Sequence, residues 1–135
     1  MSDRLRLLCV DDEVHILRTL ERFCRNEGIS MHSATSAAQA LELLENQPVD
    51  VVVSDYQMPG MNGLDFLHEV HARWPWISGI VISGFVEVPA VAGALQQGDI
   101  MGFLHKPWKR DELKALIRAA GKRCRSGMGE GATTT

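Results

Sequence analysis

Cysteine is scarce in this chain. Its three copies, Cys9, Cys24 and Cys124, are an odd number with no C-x-x-C spacing. That argues against a disulfide framework and against thiolate metal binding. Cys9 lies in an apolar run and Cys24 on the apolar face of a predicted helix, so both read as small core residues. Long hydrophobic runs are lacking as well, and none approaches the roughly 18 residues of a membrane span. Neither sign of charge dominates: 14 Lys and Arg stand against 17 Asp and Glu. No basic stripe stands out, which argues against nucleic-acid binding by this domain. Met1-Ser2-Asp3-Arg4 has no signal-peptide pattern, so a cytoplasmic location is expected. The five His are scattered. His68 and His71 fall i, i+3 on one predicted helix without further ligands, and read as a solvated helix face rather than a zinc site.

What remains is an ordinary globular composition, 45% hydrophobic and 23% charged over 135 residues, long enough for one domain with one core. Arg4 to Val10 is a nearly continuous apolar strand that ends in Asp11-Asp12-Glu13. An amphipathic helix follows, with Ile16, Leu17, Leu20, Phe23 and Cys24 on one face and Gly28 as its stop. Ile29 to Ala34 reads as a half-exposed edge strand. Ser36 and Gln39 match a capping box for a second helix bearing Ala37, Ala40, Leu41 and Leu44. Val49 to Asp55 is a β-branched run, the mark of a strand buried on both faces, and it stops on a carboxylate before a Pro59-Gly60 turn.

Asn62 caps a third helix with Leu64, Leu67 and Val70 inward, which Trp74-Pro75-Trp76 breaks. Gly79 to Ser83 is a fourth strand. Pro89 suits the first turn of a fourth helix reaching about Gln97, and Val88, Val91 and Gly93 make its propensity poor. Ile100 to His105 is a fifth strand. A last helix turns Leu113, Leu116, Ile117 and Ala120 inward. The domain is therefore expected over residues 4–121, with 122–135 a flexible tail or linker.

Five strands alternating with five helices predict a flavodoxin-like (βα)5 three-layer α/β sandwich with a parallel sheet in the order 2-1-3-4-5. The functional crevice of such a sheet lies at the carboxyl ends of its strands. There the first strand delivers Asp11 and Asp12, the third Asp55, the fourth Ser83 and Gly84, and the fifth Lys106. Two like charges about 4 Å apart repel by roughly 4 kcal/mol at an effective dielectric near 20. Three carboxylates therefore need a cation. Oxygen ligands without Cys or His select Mg²⁺, or Mn²⁺ in its place. One carboxylate could then attack phosphorus, with Lys106 and Ser83 holding the phosphoryl oxygens. Asp55 stands alone at the end of the central strand and is the expected nucleophile.

These residues resemble the receiver domain of two-component response regulators over about residues 4–121. The resemblance is carried by Asp11-Asp12, Asp55-x-x-Met58-Pro59-x-Met61-x-Gly63, Ser83-Gly84 and Phe103-x-x-Lys106-Pro107. It implies that Asp55 takes a phosphoryl group from a histidine kinase or a phosphotransfer protein. It also implies that Asp12, Asp55 and the Gln57 carbonyl ligate Mg²⁺, with Asp11 acting largely through water. Ser83 would turn toward the phosphoryl group, Phe103 would be a switch aromatic, and the Lys106–Pro107 bond would be cis. Such a domain is a switch rather than an enzyme, although it catalyses its own phosphorylation and dephosphorylation. The stretch Phe103 to Trp108 looks like receivers joined to cyclic-dinucleotide phosphodiesterase or transcriptional output domains. The implied partners are the kinase, an output domain beyond Thr135, and a second copy met through the face of the fourth helix, fifth strand and fifth helix.

Some positions temper this picture. Ser83 replaces a commoner Thr but keeps the hydroxyl. Phe85 and Gln57 should flank the phosphoryl group, and an apolar ring at Phe85 should slow dephosphorylation. Val88 and Trp108 are interface candidates, whereas Trp74 and Trp76 should cover the bottom of the sheet. A Mg²⁺-dependent aspartyl-phosphate phosphohydrolase is the alternative, and Gln57 stands where it would need an acid. A flavin module is opposed by Asp11-Asp12-Glu13, which would repel a phosphate.

Overall fold

The computed structural model describes residues 4–84 and 88–134, with side chains up to Lys122 and Val88 excepted. Its elements run β1 (Arg6–Val10), α1 (Val14–Glu27), β2 (Ser30–Ala34), α2 (Ala37–Asn46), β3 (Val51–Asp55), α3 (Gly63–Arg73), β4 (Ser78–Ser83), α4 (Val88–Gln97), β5 (Gly102–His105) and α5 (Arg110–Thr134). The strands form one sheet in the order β2-β1-β3-β4-β5, and every pairing is parallel. This is the flavodoxin-like arrangement expected from the alternation of elements.

The pleat divides the core in two. Leu8, Val10, Val52 and Val81 face α2, α3 and α4, with Phe66 at the centre of that layer. Leu7, Cys9, Val51, Val53, Ile80, Ile82 and Leu104 face α1 and α5. Both faces of β3 and β4 are covered, which is why their sequences are β-branched without alternation. Cys9 and Cys24 are buried free thiols within the second layer. Burial pushes Cys9 well above its ordinary range and Cys24 to about 11, so both stay protonated and inert.

Local signals act largely as read. Gly28 ends α1 in the left-handed region at φ 69°, where a residue without Cβ is unstrained. The Asn62 side chain accepts the Asp65 N–H at the start of α3. Ser36 accepts the Gln39 N–H at 3.1 Å, but the Gln39 side chain returns to the Thr35 N–H, one residue earlier than a capping box requires. α5 carries its helical backbone to Thr134, past the expected boundary at 121. Leu113, Ile117 and Ala120 are fully buried and anchor its first part on the core.

Two acidic residues hold long-range ion pairs that were invisible in the pattern. Asp50, 2% exposed, accepts the Arg6 backbone N–H at 2.8 Å and two guanidinium N–H bonds, tying β1 to the start of β3. Glu27, at the end of α1, meets Arg110, Lys114 and Arg118 of α5 at 2.9 to 3.4 Å. At the lower edge of the sheet, Trp74 is half-buried under the Arg73 guanidinium, 4.4 Å from its ring centroid. Trp76 remains 44% exposed. Both border a groove with Pro48, Val49 and Arg6, so of the two rings only Trp74 packs on the core.

Candidate functional site

At the opposite edge the strand tips converge as expected. β1 hands the chain to Asp11, whose backbone N–H donates to the Ala34 carbonyl of β2 at 3.1 Å. Its side-chain Oδ1 accepts the Glu13 N–H at 2.9 Å, which turns the chain into α1 and aims Oδ2 across the sheet. β3 ends on Asp55, held by Tyr56 N–H to the Ile82 carbonyl at 2.9 Å. The Lys106 backbone N–H donates to the Ser83 carbonyl at 2.9 Å, so β4 and β5 present Ser83 and Lys106 side by side. The Lys106–Pro107 bond is cis.

The Lys106 ammonium lies 3.0 Å from Asp11 Oδ2, 3.3 Å from Asp55 Oδ1 and 3.7 Å from Glu13 Oε1. Lys106 and Asp11 are 95 residues apart in the chain. Asp11, Asp55 and Ser83 are buried, and Asp12 and Glu13 are exposed. The open depression over them, about 780 Å³, is bordered by Asp12, Asp55, Gln57, Ser83, Gly84 and Lys106. It is accessible from solvent, and the buried Asp55 and Ser83 line it.

Its electrostatics favour a cation. Four carboxylates face one ammonium. Burial pushes the Asp55 carboxyl above the usual carboxylate range, the Asp11 charge adds to this, Lys106 opposes it, and Asp12 adds a smaller push. Burial also works against the Lys106 ammonium, but its hydrogen bond to Asp11 and the charges of Asp11 and Asp55 outweigh that and hold it above its ordinary range. Asp11, Asp12 and Asp55 can each offer an oxygen within 4.8 Å of the others. An octahedral ion with bonds near 2.1 Å spans oxygens about 3 to 4.2 Å apart, so small rotations would complete the fit. The donors are all hard oxygens, as a small divalent cation of the Mg²⁺ type requires.

The other expected residues fall in three groups. Gln57 is exposed at the rim. Phe103 is half-buried against the layer of α2, α3 and α4, its ring edge-on to His105 with centroids 6.4 Å apart. Trp108 is half-buried against the layer of α1 and α5, so packing claims part of the ring that was read as an interface candidate. Phe85 and the Val88 side chain lie outside the described residues.

Two contributors have roles that the pattern did not assign, although Gly63 closes the motif that begins at Asp55. Glu13 adds a fourth carboxylate, and its place directly after Asp11-Asp12 was the available signal. Gly63 supplies room: its N–H donates to the Tyr56 carbonyl at 2.7 Å, and a Cβ there would collide with the Asp55 carbonyl.

The chain is similar to known proteins in sequence and fold. Residues 7–118 match the model of the response regulator receiver domain. The chain is 38% identical over 121 residues to the hydrogenase transcriptional regulatory protein HoxA of Cupriavidus necator, covering 89% of this chain and 25% of that protein. It spans about a quarter of the length of the curated relatives it matches. Among solved structures, the signal receiver domain of an HD domain-containing protein from Pseudomonas fluorescens Pf-5 superposes with a TM-score of 0.89 at 31% identity, over 96% of this chain and 95% of that one. The beryllofluoride-activated NtrC4 receiver domain dimer gives 0.82 at 28% identity, over 88% and 98%.

Proposed function

This chain belongs to the response regulator receiver domain family, and we propose that it is a signalling switch thrown by phosphorylation of Asp55. The observation that carries this reading is the meeting of Asp11, Asp12, Asp55 and Lys106 at one solvent-open sheet edge. The donor is a phosphohistidine on a histidine kinase or phosphotransfer protein. An Asp55 carboxylate oxygen attacks phosphorus, the phosphorus–nitrogen bond breaks, and the imidazole leaves. Asp12, Asp55 and the Gln57 carbonyl would hold Mg²⁺, or Mn²⁺ in its place, with Asp11 beside them. That ion supplies charge neutralisation for the phosphoryl oxygens.

Lys106, now shared by Asp11 and Asp55, is placed to pair with a phosphoryl oxygen once Asp55 carries an acyl phosphate. The Ser83 hydroxyl, on the adjoining strand tip, can donate to another. Moving an equilibrium from 1:99 to 99:1 takes about 5.5 kcal/mol. Two charge-assisted hydrogen bonds at roughly 1.5–3 kcal/mol each approach that figure. The change passes along β4 and β5 to α4 and Phe103. The face of α4, β5 and α5 then engages a second copy or an output domain. Regulators such as HoxA and NtrC, of which the matched part is about a quarter, suggest a transcriptional output. The dimer of the NtrC4 receiver supports pairing between copies.

Incubation with acetyl phosphate and Mg²⁺ tests the central claim by intact mass. Wild type should gain one phosphoryl group and Asp55→Asn none. Uptake by Asp55→Asn equal to wild type would show that another group is the acceptor.

A further inference from the structure

We propose that His68 and Asp99 form a pin that fixes the C-terminal end of α4, so that α4 swings from that end when Asp55 is phosphorylated. The mechanical part of this proposal rests on the phosphorylation reading above; the pin itself does not.

α4 is weakly held along most of its length. Val88, Val91 and Gly93 lower its helix propensity. Pro89, Ala90 and Ala92 are exposed, Leu95 is 44% exposed, and of its described side chains only Ala94 is buried. Nothing lies within 4 Å of a Cβ built on Gly93. Its chief packing partner is α3 rather than the sheet.

Its C-terminal end is different. Gly98 turns the chain at φ 84°, and the N–H groups of Gly98, Asp99 and Ile100 return to Leu95 and Ala94 carbonyls at 3.0 to 3.4 Å. Ile100 is 1% exposed, and the Met101 N–H donates to the Gly79 carbonyl of β4 at 2.8 Å. The Asp99 carbonyl oxygen sits so close to Gly79 that a Cβ there would lie 2.9 Å away. The Asp99 carboxylate is buried, and a buried carboxylate needs a partner. The His68 ring of α3 meets it, with Nδ1 2.8 Å from Oδ2. The His71 ring, one turn on, closes over Gly98 at 3.7 Å from the Cβ position there.

α3 therefore touches both ends of the switch. Its first residue, Gly63, abuts the Asp55 carbonyl, and His68 grips the turn after α4. The N-terminal end of α4 follows the chain that leaves Ser83. A helix tied at one end and loosely packed along its length responds by tilting about the tie. His68 was read as part of a solvated face, and its ring is indeed mostly exposed, but one nitrogen is committed to Asp99.

The test is amide hydrogen exchange on the full chain as wild type, His68→Ala and His68→Asn, each with Mg²⁺ and with or without beryllofluoride as the phosphoryl mimic. Asn can place its amide N–H near the Nδ1 position, so it should restore what Ala loses. Without beryllofluoride, His68→Ala should speed exchange at Gly98 to Met101 by about 3- to 10-fold, and His68→Asn should stay near wild type. With beryllofluoride, wild-type exchange should change at 90–93 and hold steady at Gly98 and Asp99. Exchange in His68→Ala within twofold of wild type overturns the pin. Equal responses at both ends of wild-type α4 overturn the swing. A wild type with no beryllofluoride response anywhere refutes the phosphorylation reading instead, and the pin then stands or falls on the Ala and Asn variants.

Discussion

Gly63→Ala is a small substitution with a large expected effect. Gly63 opens α3 and has no left-handed backbone to explain it, since the positive-φ glycines are Gly28, Gly60 and Gly98. What it provides is space. A Cβ there would fall inside the Asp55 carbonyl oxygen and 3.0 Å from both the Asp55 carbonyl carbon and Tyr56 Cα. All three are backbone atoms, so no side chain can rotate away. Reaching ordinary contact requires α3 or the end of β3 to retreat by about 1 Å. Overpacking of this kind costs about 1–3 kcal/mol of stability. A displacement of about 1 Å at a reacting group costs on the order of 10²-fold in rate. Gly63→Ala should therefore fold, melt several degrees lower, and take phosphoryl from acetyl phosphate about 100-fold more slowly. Gly60→Ala is the control. Gly60 needs its φ of 84° but has nothing within 4 Å of its Cβ position, so it should lose stability with a rate within a few-fold of wild type. Equal rates in Gly63→Ala and wild type would refute the claim that this close approach positions Asp55.

Asp50→Ala strips the Arg6 N–H and guanidinium of their shared acceptor. Breaking a buried pair costs about 3–5 kcal/mol; with Arg6 43% exposed, about 2–3 kcal/mol is expected, or roughly 6–15 °C in Tm. Loss of under 3 °C would mean that water replaces the carboxylate. The hydrogen bond from Arg110 leads the contacts that hold Glu27 below the usual carboxylate range against its partial burial, with Lys114 and Arg118 adding to it. A depressed folded-state pKa gives stability that is present above the unfolded value, near 4.3, and lost as pH falls through the folded one. The Tm of wild type should exceed that of Glu27→Gln at pH 7, and the gap should close as the pH drops below about 4. A gap independent of pH would assign the contact to packing alone.

The site was legible because its residues sit at the ends of strongly patterned segments. A strand buried on both faces must be apolar throughout, so Val51-Val52-Val53 ending on Ser54-Asp55 announces where the chain meets water. Leu7 to Val10 followed by Asp11-Asp12 does the same. What stayed hidden has no period. Asp50 looks like a loop residue before a strand, His68 like a solvated helix position, and Glu27 like a helix-end charge. Each owes its role to a partner 31 to 91 residues away. The helical backbone of α5 past 121 was not legible either, because composition weighs its glycines as helix breakers.

The sequence by itself determined the order and kind of the elements, the buried faces, and the acids at the strand tips, because hydrophobic periodicity and chain breaks act over a few residues. Only the tertiary structure decided the distances: which carboxylates share Lys106, where Gly63 presses on Asp55, and how His68 reaches Asp99. Those depend on the twist and spacing of a sheet that brings remote segments within hydrogen-bonding range, and hydrogen bonds are sensitive to tenths of an ångström.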